Sequence, residues 1–269
     1  MIEARGAGYR YPRGTEAAVD DVNLEILPGE TVAIVGPNGS GKSTLGRMIK
    51  ALLLPSTGTI AVDGLDTREQ GLEVRRRVGL VFQNPTSQIV NAVVEQEIAF
   101  GPENLGLPPA EVRHRVEAAL SAVHLSGMEE AECNTLSMAN RQRVAIASVL
   151  AMEPSYLVLD EPTAWLEPRT RRPVLEEVFR WSRERGAAVV IATHRMDEAQ
   201  MCARVAGMLD GRVVAEGTSS DVLRDPQVRE RLSLDVPETL HLAETLAAQG
   251  LPVTLGASVE ELADELCRS

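Results

Sequence analysis

The run that most constrains this chain is Gly36-Pro37-Asn38-Gly39-Ser40-Gly41-Lys42-Ser43-Thr44, which fits the pattern G-x-x-x-x-G-K-[ST]. It follows an apolar strand, Thr31 to Val35, and opens a helix predicted from Lys42 to about Leu53. That context matters, because the glycines let consecutive backbone N–H groups converge on phosphate oxygens while the helix N-terminus adds positive potential. Lys42 is placed to reach the β- and γ-phosphates of a nucleotide, and Ser43 to give a hydroxyl to Mg²⁺. A merely structural glycine turn needs neither the lysine nor the hydroxyl.

The rest of the chain reads as α/β. Strands are expected at Ile2 to Tyr11, Val22 to Ile26, Thr59 to Val62, Val78 to Phe82, Tyr156 to Asp160 and Ala187 to Thr193. Two more are expected near Val205 to Leu209 and Val213 to Glu216, split by the Asp210-Gly211 turn. The stretch from about Val93 to Leu150 is helical in pattern, with breaks expected at Gly101-Pro102, Pro108-Pro109 and Ser126-Gly127. A further helix is expected over Thr170 to Glu184. Continuous apolar strands alternating with helices imply a parallel sheet covered on both faces, with the inserted helical block as its own lobe. From about Asp225 the composition turns polar, with helical patterning at Pro237 to Gln249 and Val259 to Leu266, which predicts a small appendage.

Bulk properties exclude several classes. The 269 residues carry a formal net charge of −12, which repels nucleic-acid backbones and anionic lipid headgroups. Any work at a membrane then requires another protein to hold the chain there. The longest apolar runs, such as Ala187 to Ala192, are strand-sized, far below the roughly 18 residues of a membrane span. The N-terminus lacks a basic segment followed by an apolar one, so secretion is not expected. Cys133, Cys202 and Cys267 lie far apart without metal-ligand spacing and read as reduced thiols of a cytoplasmic protein.

Further residues carry chemistry once the phosphate loop is present. Tyr156-Leu157-Val158-Leu159-Asp160-Glu161 is an apolar strand ending in adjacent carboxylates. Asp160 fits a residue that binds Mg²⁺ through water, and Glu161 a base that polarises the attacking water. Gln83 follows the strand ending Val81-Phe82, where it can touch both metal and water, and His194 follows Ile191-Ala192-Thr193 at the sheet edge where ligands bind in such folds.

In this order and approximate spacing, the motifs resemble the ABC ATPases along nearly the whole chain. The resemblance implies a P-loop NTPase with a parallel-sheet core, an N-terminal antiparallel β subdomain, a helical subdomain at about 93–150 and a small C-terminal helical appendage. It divides the chain into an ATP-binding domain at 1–224 and an appendage at 225–269 that helps two ATPases pair. ATP and Mg²⁺ are the implied ligands, with Ser43, Gln83 and Asp160 serving the metal and the whole loop from Gly36 to Thr44 serving the phosphates. Tyr11 matches the aromatic that stacks on adenine, and His194 the switch histidine that senses the γ-phosphate. Leu136-Ser137-Met138-Ala139-Asn140 occupies the signature segment, and Ala164-Trp165-Leu166-Glu167 the dimer-interface loop.

Two stretches depart from the family pattern. The usual signature is L-S-G-G-Q, and glycine permits close approach and positive φ that Met138 and Ala139 do not readily allow. The interface loop carries Glu167 where Asp is usual. In a head-to-tail dimer each signature acts on the partner's nucleotide, so Ser137, Met138, Ala139 and Asn140 would weaken the partner's site. A heterodimer with a second ABC ATPase and unequal sites is expected. A finer resemblance, carried by Phe82 to Val90, Ala99 to Leu107 and Leu232 to Pro237, is to the ATPases of energy-coupling factor (ECF) transporters, which import vitamins or transition-metal ions. It implies a transmembrane scaffold subunit, a small substrate-binding membrane subunit, and a peripheral place on the cytoplasmic face of the membrane. No nucleic-acid partner is expected. The alternatives are the ATPase of a conventional ABC transporter and a regulatory nucleotide-binding module with weak hydrolysis.

Overall fold

A computed structural model describes residues 1–12, 14–234, 238–251, 253–254 and 259–268. Its strands are β1 (Ile2–Tyr9), β2 (Val19–Ile26), β3 (Thr31–Val35), β4 (Thr57–Val62), β5 (Leu65–Asp66), β6 (Val78–Val81), β7 (Tyr156–Asp160), β8 (Ala188–Thr193), β9 (Arg204–Leu209) and β10 (Arg212–Thr218). The helices are α1 (Lys42–Ile49), α2 (Gly71–Arg77), α3 (Val94–Asn104), α4 (Pro109–Ala122), α5 (Met138–Leu150), α6 (Pro168–Arg185), α7 (Met196–Ala199), α8 (Ser219–Arg224), α9 (Pro226–Arg231), α10 (Glu238–Ala248) and α11 (Val259–Arg268).

These strands form a four-stranded antiparallel sheet, β2-β1-β4-β5, and a six-stranded sheet, β10-β9-β3-β8-β7-β6. The larger sheet is parallel except for its edge strand β10, which pairs antiparallel with β9. Its apolar strands are buried on both faces, and the two-residue period of a strand divides them cleanly. Ala33, Val35, Leu157, Leu159, Val189 and Ile191 pack with helices α3 to α6. Val32, Ile34, Tyr156, Val158, Ala188 and Val190 pack with α1 and the antiparallel sheet. The first of these cores runs unbroken from the sheet into α3, α4 and α5 through Val94, Ile98, Val116, Leu120 and Val144.

One expected break is not there: α3 continues through Gly101-Pro102 to Asn104. Proline forfeits one helical hydrogen bond, but Pro102 is buried within the helix, and Asn104 Nδ2 donates to the Phe100 carbonyl 2.8 Å away near its end. Packing outweighs the local preference. The break at Pro108-Pro109 is instead the start of α4, with Pro109 in the first turn, where its missing N–H costs nothing. Helix α1 stops at Ile49, short of Leu53, because Ala51 takes a positive φ of 55° just beyond its end. The short α2, α7, α8 and α9 carry too few residues for a periodic signal and are absent from the sequence reading. The segment Leu232 to Pro237 is described only to Leu234, and Asp235, Val236 and Pro237 lie outside the described residues.

Candidate nucleotide site

Parallel strands deliver all their carboxyl ends to one edge, and the candidate residues meet there. Val35 is in register with Thr193, Asp160 with Ala192, and Val81 with Leu159. The phosphate loop, Gln83, the Asp160-Glu161 pair and His194 therefore leave the sheet side by side.

The loop from Gly36 to Thr44 wraps the N-terminus of α1. Gly41 has φ +104°, and a Cβ there would lie 2.3 Å from the Ala18 carbonyl oxygen, so only glycine fits. Ser40 is buried, its N–H donating to the Pro37 carbonyl at 3.2 Å and its carbonyl accepting from Gly211 N–H at 3.1 Å. Its hydroxyl is buried with no hydrogen-bond partner. Asn38 and Gly39 form the exposed crest. Lys42 is 5% exposed, and its ammonium donates to the carbonyls of Gly36 (2.8 Å) and Pro37 (2.9 Å). Burial pulls its pKa below the usual lysine range, against the opposing charges of Glu161 and Asp160.

Ser43 Oγ donates to Asp160 Oδ1 at 2.8 Å. Burial raises the Asp160 pKa, aided by the charge of Glu161 and countered by the Ser43 hydrogen bond and by Arg47 and Lys42. A buried carboxylate beside a hydroxyl is an all-oxygen donor pair suited to a hard divalent cation, which would relieve the cost of burying that charge. Among the described residues there is no cluster of three or more His, Cys, Asp or Glu able to hold a metal.

Glu161 stands just past β7 at a left-handed φ of 46°, its N–H donating to the Ala192 carbonyl at 2.8 Å. Its carboxylate is engaged on both oxygens. Gln83 Nε2 donates to Oε2 at 2.7 Å, and His194 Nδ1 lies 3.2 Å from Oε1. Tyr11 lies across the start of α1, its hydroxyl 3.2 Å from Thr44 Oγ1 and its ring edge-on to Tyr9 at 5.0 Å.

The signature segment is built differently. Ser137 caps α5, its hydroxyl accepting from Asn140 N–H at 3.2 Å. Met138 and Ala139 are already helical, and neither has the positive φ that the glycine argument required. Met138 and Ala139 thus add side-chain bulk on an ordinary helical backbone. Glu167 is the N-cap of α6, without a side-chain cap bond.

The sequence patterns missed two supporting residues. Gln88 Oε1 accepts from Phe82 N–H (3.0 Å) while its Nε2 donates to the Ala145 carbonyl (2.9 Å), tying the Gln83 loop to α5. Glu198, 2% exposed, accepts from the Thr163 hydroxyl and lies 3.3 Å from Arg195 Nε, bracing the segments after β7 and β8. Its only sequence signal is a carboxylate one helical turn past His194.

A glycine loop on α1, a hydroxyl–carboxylate pair and a doubly held glutamate at one sheet edge define an ABC-type ATPase. The ABC transporter family pattern matches residues 19–164. The chain belongs to that family, within the group of energy-coupling factor transporter ATP-binding proteins. It is 49% identical over 277 residues to energy-coupling factor transporter ATP-binding protein EcfA1 of Symbiobacterium thermophilum, covering 99% of this chain and 96% of that protein. It is 41% identical to the protein of that name from Caldanaerobacter subterraneus, covering 100% of this chain and 99% of the other. Among solved structures, cbiO1 of Clostridium perfringens, described as part of the ABC transporter complex cbiONQ, superposes with a TM-score of 0.76 at 36% identity, over 90% of this chain and 98% of that one. A dimeric ATP-binding cassette in a post-hydrolysis state with ADP and Pi gives 0.75 at 30% identity, over 81% and 99%.

Proposed function

We propose that this chain is the ATP-hydrolysing subunit of an ECF-type import complex for vitamins or transition-metal ions, held peripherally on the cytoplasmic face of the membrane by a transmembrane scaffold. A small membrane subunit binds the substrate. The observation that carries the reading is the Gln83–Glu161–His194 arrangement beside an intact phosphate loop, in a chain of this group. Among the described residues no helix is long and apolar enough to cross a membrane, which agrees with a scaffold supplied by another protein.

In this reading the loop from Gly36 to Thr44 receives the phosphates, Lys42 neutralises the β- and γ-phosphates, and Tyr11 stacks on adenine. Ser43, Asp160 and Gln83 hold Mg²⁺, which when bound supplies charge stabilisation to the phosphates. Glu161, on a left-handed backbone just past β7, accepts a proton from the attacking water. His194 senses the γ-phosphate, while Gln83, on the other oxygen of that carboxylate, touches the metal and the attacking water and links the nucleotide to the transmembrane partner. Residues 1–224 form the ATP-binding domain, with the helical subdomain at about 93–150, and residues 225–269 help two ATPases pair. Ser137, Met138, Ala139 and Asn140 act on the partner's nucleotide, and their bulk makes the partner's site the weaker one in a heterodimer with a second ABC ATPase. The deciding experiment is affinity purification of the tagged chain from detergent-solubilised native membranes, with mass spectrometry of bound proteins. A second ATPase with an intact signature plus an integral membrane scaffold is expected. Recovery of this chain alone, soluble and self-associated, would favour a regulatory nucleotide-binding module.

A further inference from the structure

The turn after Glu161 presents an exposed tryptophan whose polar atom is already committed. Trp165 is 45% exposed, yet its indole Nε1 donates to the Gln83 backbone carbonyl at 2.9 Å. Its setting is rigid. Ala164 N–H donates to the Glu161 carbonyl (3.1 Å), Leu166 N–H to the Thr163 carbonyl (3.0 Å), and Leu166 itself is 2% exposed in the core. The Thr163 hydroxyl donates to buried Glu198. The indole thus projects from a turn fixed on both sides.

Gln83 is held less firmly by its own neighbours. It is exposed, and so are Asn84 and Thr86 on the same loop. Phe82 N–H is pinned by Gln88 at 3.0 Å, the Phe82 carbonyl accepts from Gln142 Nε2 at 3.5 Å, and Asn84 Oδ1 accepts from Thr86 N–H at 3.0 Å, but these leave the carbonyl of Gln83 itself to another group. Trp165 holds it. A circuit results: Glu161 leads through the turn to Trp165, Trp165 to the Gln83 carbonyl, and the Gln83 amide returns 2.7 Å to Glu161 Oε2.

We infer that Trp165 is a positioning residue for ATP hydrolysis, clamping the Gln83 backbone so that its side-chain amide swings between Glu161 and the nucleotide from a fixed pivot. This rests on the roles proposed for Gln83 and Glu161. A backbone clamp serves the geometry of the chemical step, in which sub-ångström placement governs rate. It touches neither adenine nor phosphate, and the phosphate loop, Ser43 and Asp160 still hold the nucleotide and its Mg²⁺, so the loss should fall on the chemical step.

The test is a double-mutant cycle on the full chain in its purified membrane complex. Trp165→Phe keeps an aromatic ring and removes the N–H. It should lower kcat about threefold to tenfold, the scale of one net hydrogen bond, with KM for ATP unchanged. In a Gln83→Ala background, which has no amide to aim, the same replacement should have no further effect. Wild-type kcat in Trp165→Phe, a rise in KM alone, or losses that simply add in the double mutant would each overturn the proposal. Thermal melts of each variant keep a folding defect from posing as a catalytic one. Glu161→Gln measured alongside separates the two readings: if its turnover survives, the site assignment fails, whereas the clamp fails only on the Trp165 arms.

Discussion

The phosphate loop and the signature segment both lie at helix N-termini, α1 and α5, yet they are built under opposite constraints. The phosphate loop is shaped by its own chain: Gly41 sits against the Ala18 carbonyl, Ser40 is tied to Gly211, and Lys42 is buried against loop carbonyls. The signature segment has an exposed Ser137 that caps its own helix, then two ordinary helical residues. Nothing in its local backbone demands glycine. The phosphate loop answers to the fold of its own chain; in the head-to-tail pairing proposed above, the signature segment answers to a partner instead.

Changes on the constrained side should be severe. Glu161→Gln should cut turnover roughly 10²- to 10⁴-fold, the usual worth of a general base, while nucleotide affinity persists. Steady-state hydrolysis beside equilibrium nucleotide binding would show it, and parallel loss of both would mean a binding role instead. Gly41→Ala forces a Cβ into the Ala18 carbonyl at a left-handed φ. It should destabilise the chain by about 1–3 kcal/mol or more and abolish nucleotide binding. A melt and affinity equal to wild type would show that the loop is less rigid than its geometry implies.

How legible the molecule was in sequence follows the same division. The phosphate loop, Asp160-Glu161 and the flanking apolar strands were readable because backbone demands and continuous burial leave marks on residue type. The path of α3 through Pro102 was not, since burial decided it. Gln88, Glu198 and the indole bond of Trp165 were equally silent, because each is a side chain reaching across the fold to a backbone or carboxylate far away in sequence. The glycine requirement at 138–139 was inferred from a family pattern, and the helical start of α5 removes its conformational basis.

Helix α1 is anchored at its far end as well, which gives the comparison a pH dependence. Lys50 caps that end, its ammonium donating to the Arg75 carbonyl at 2.7 Å and to the Val78 carbonyl. Burial, with Arg75 adding repulsion, lowers its pKa from 10.5 to about 8. Between those values the folded chain gives up its proton while the unfolded chain keeps it. Stability from this group therefore rises as pH climbs from about 8 toward 10.5, by at most about 1.4 kcal/mol per pH unit. Lys50→Met should lack this rise, so the stability difference between wild type and variant should grow with pH in denaturant titrations. A constant difference would place the ammonium in a more solvated setting.

The smallest effect probes the signature side directly. Met138→Gly and Ala139→Gly replace helical residues in the first turn of α5, where glycine costs up to about 1 kcal/mol of stability each. Both should make the isolated chain slightly less stable and leave its own nucleotide affinity untouched, since in the head-to-tail pair proposed above this segment faces the other subunit's phosphates. In the assembled complex, opening the helix N-terminus should raise hydrolysis at the partner's site, read with Glu161→Gln silencing this chain's own. A gain in activity bought at a loss of stability is not what a defect repaired within one fold would give. If both measurements fell together, the packing of Ala139 against the main core would govern the segment, and the proposed action on a partner's site would fail.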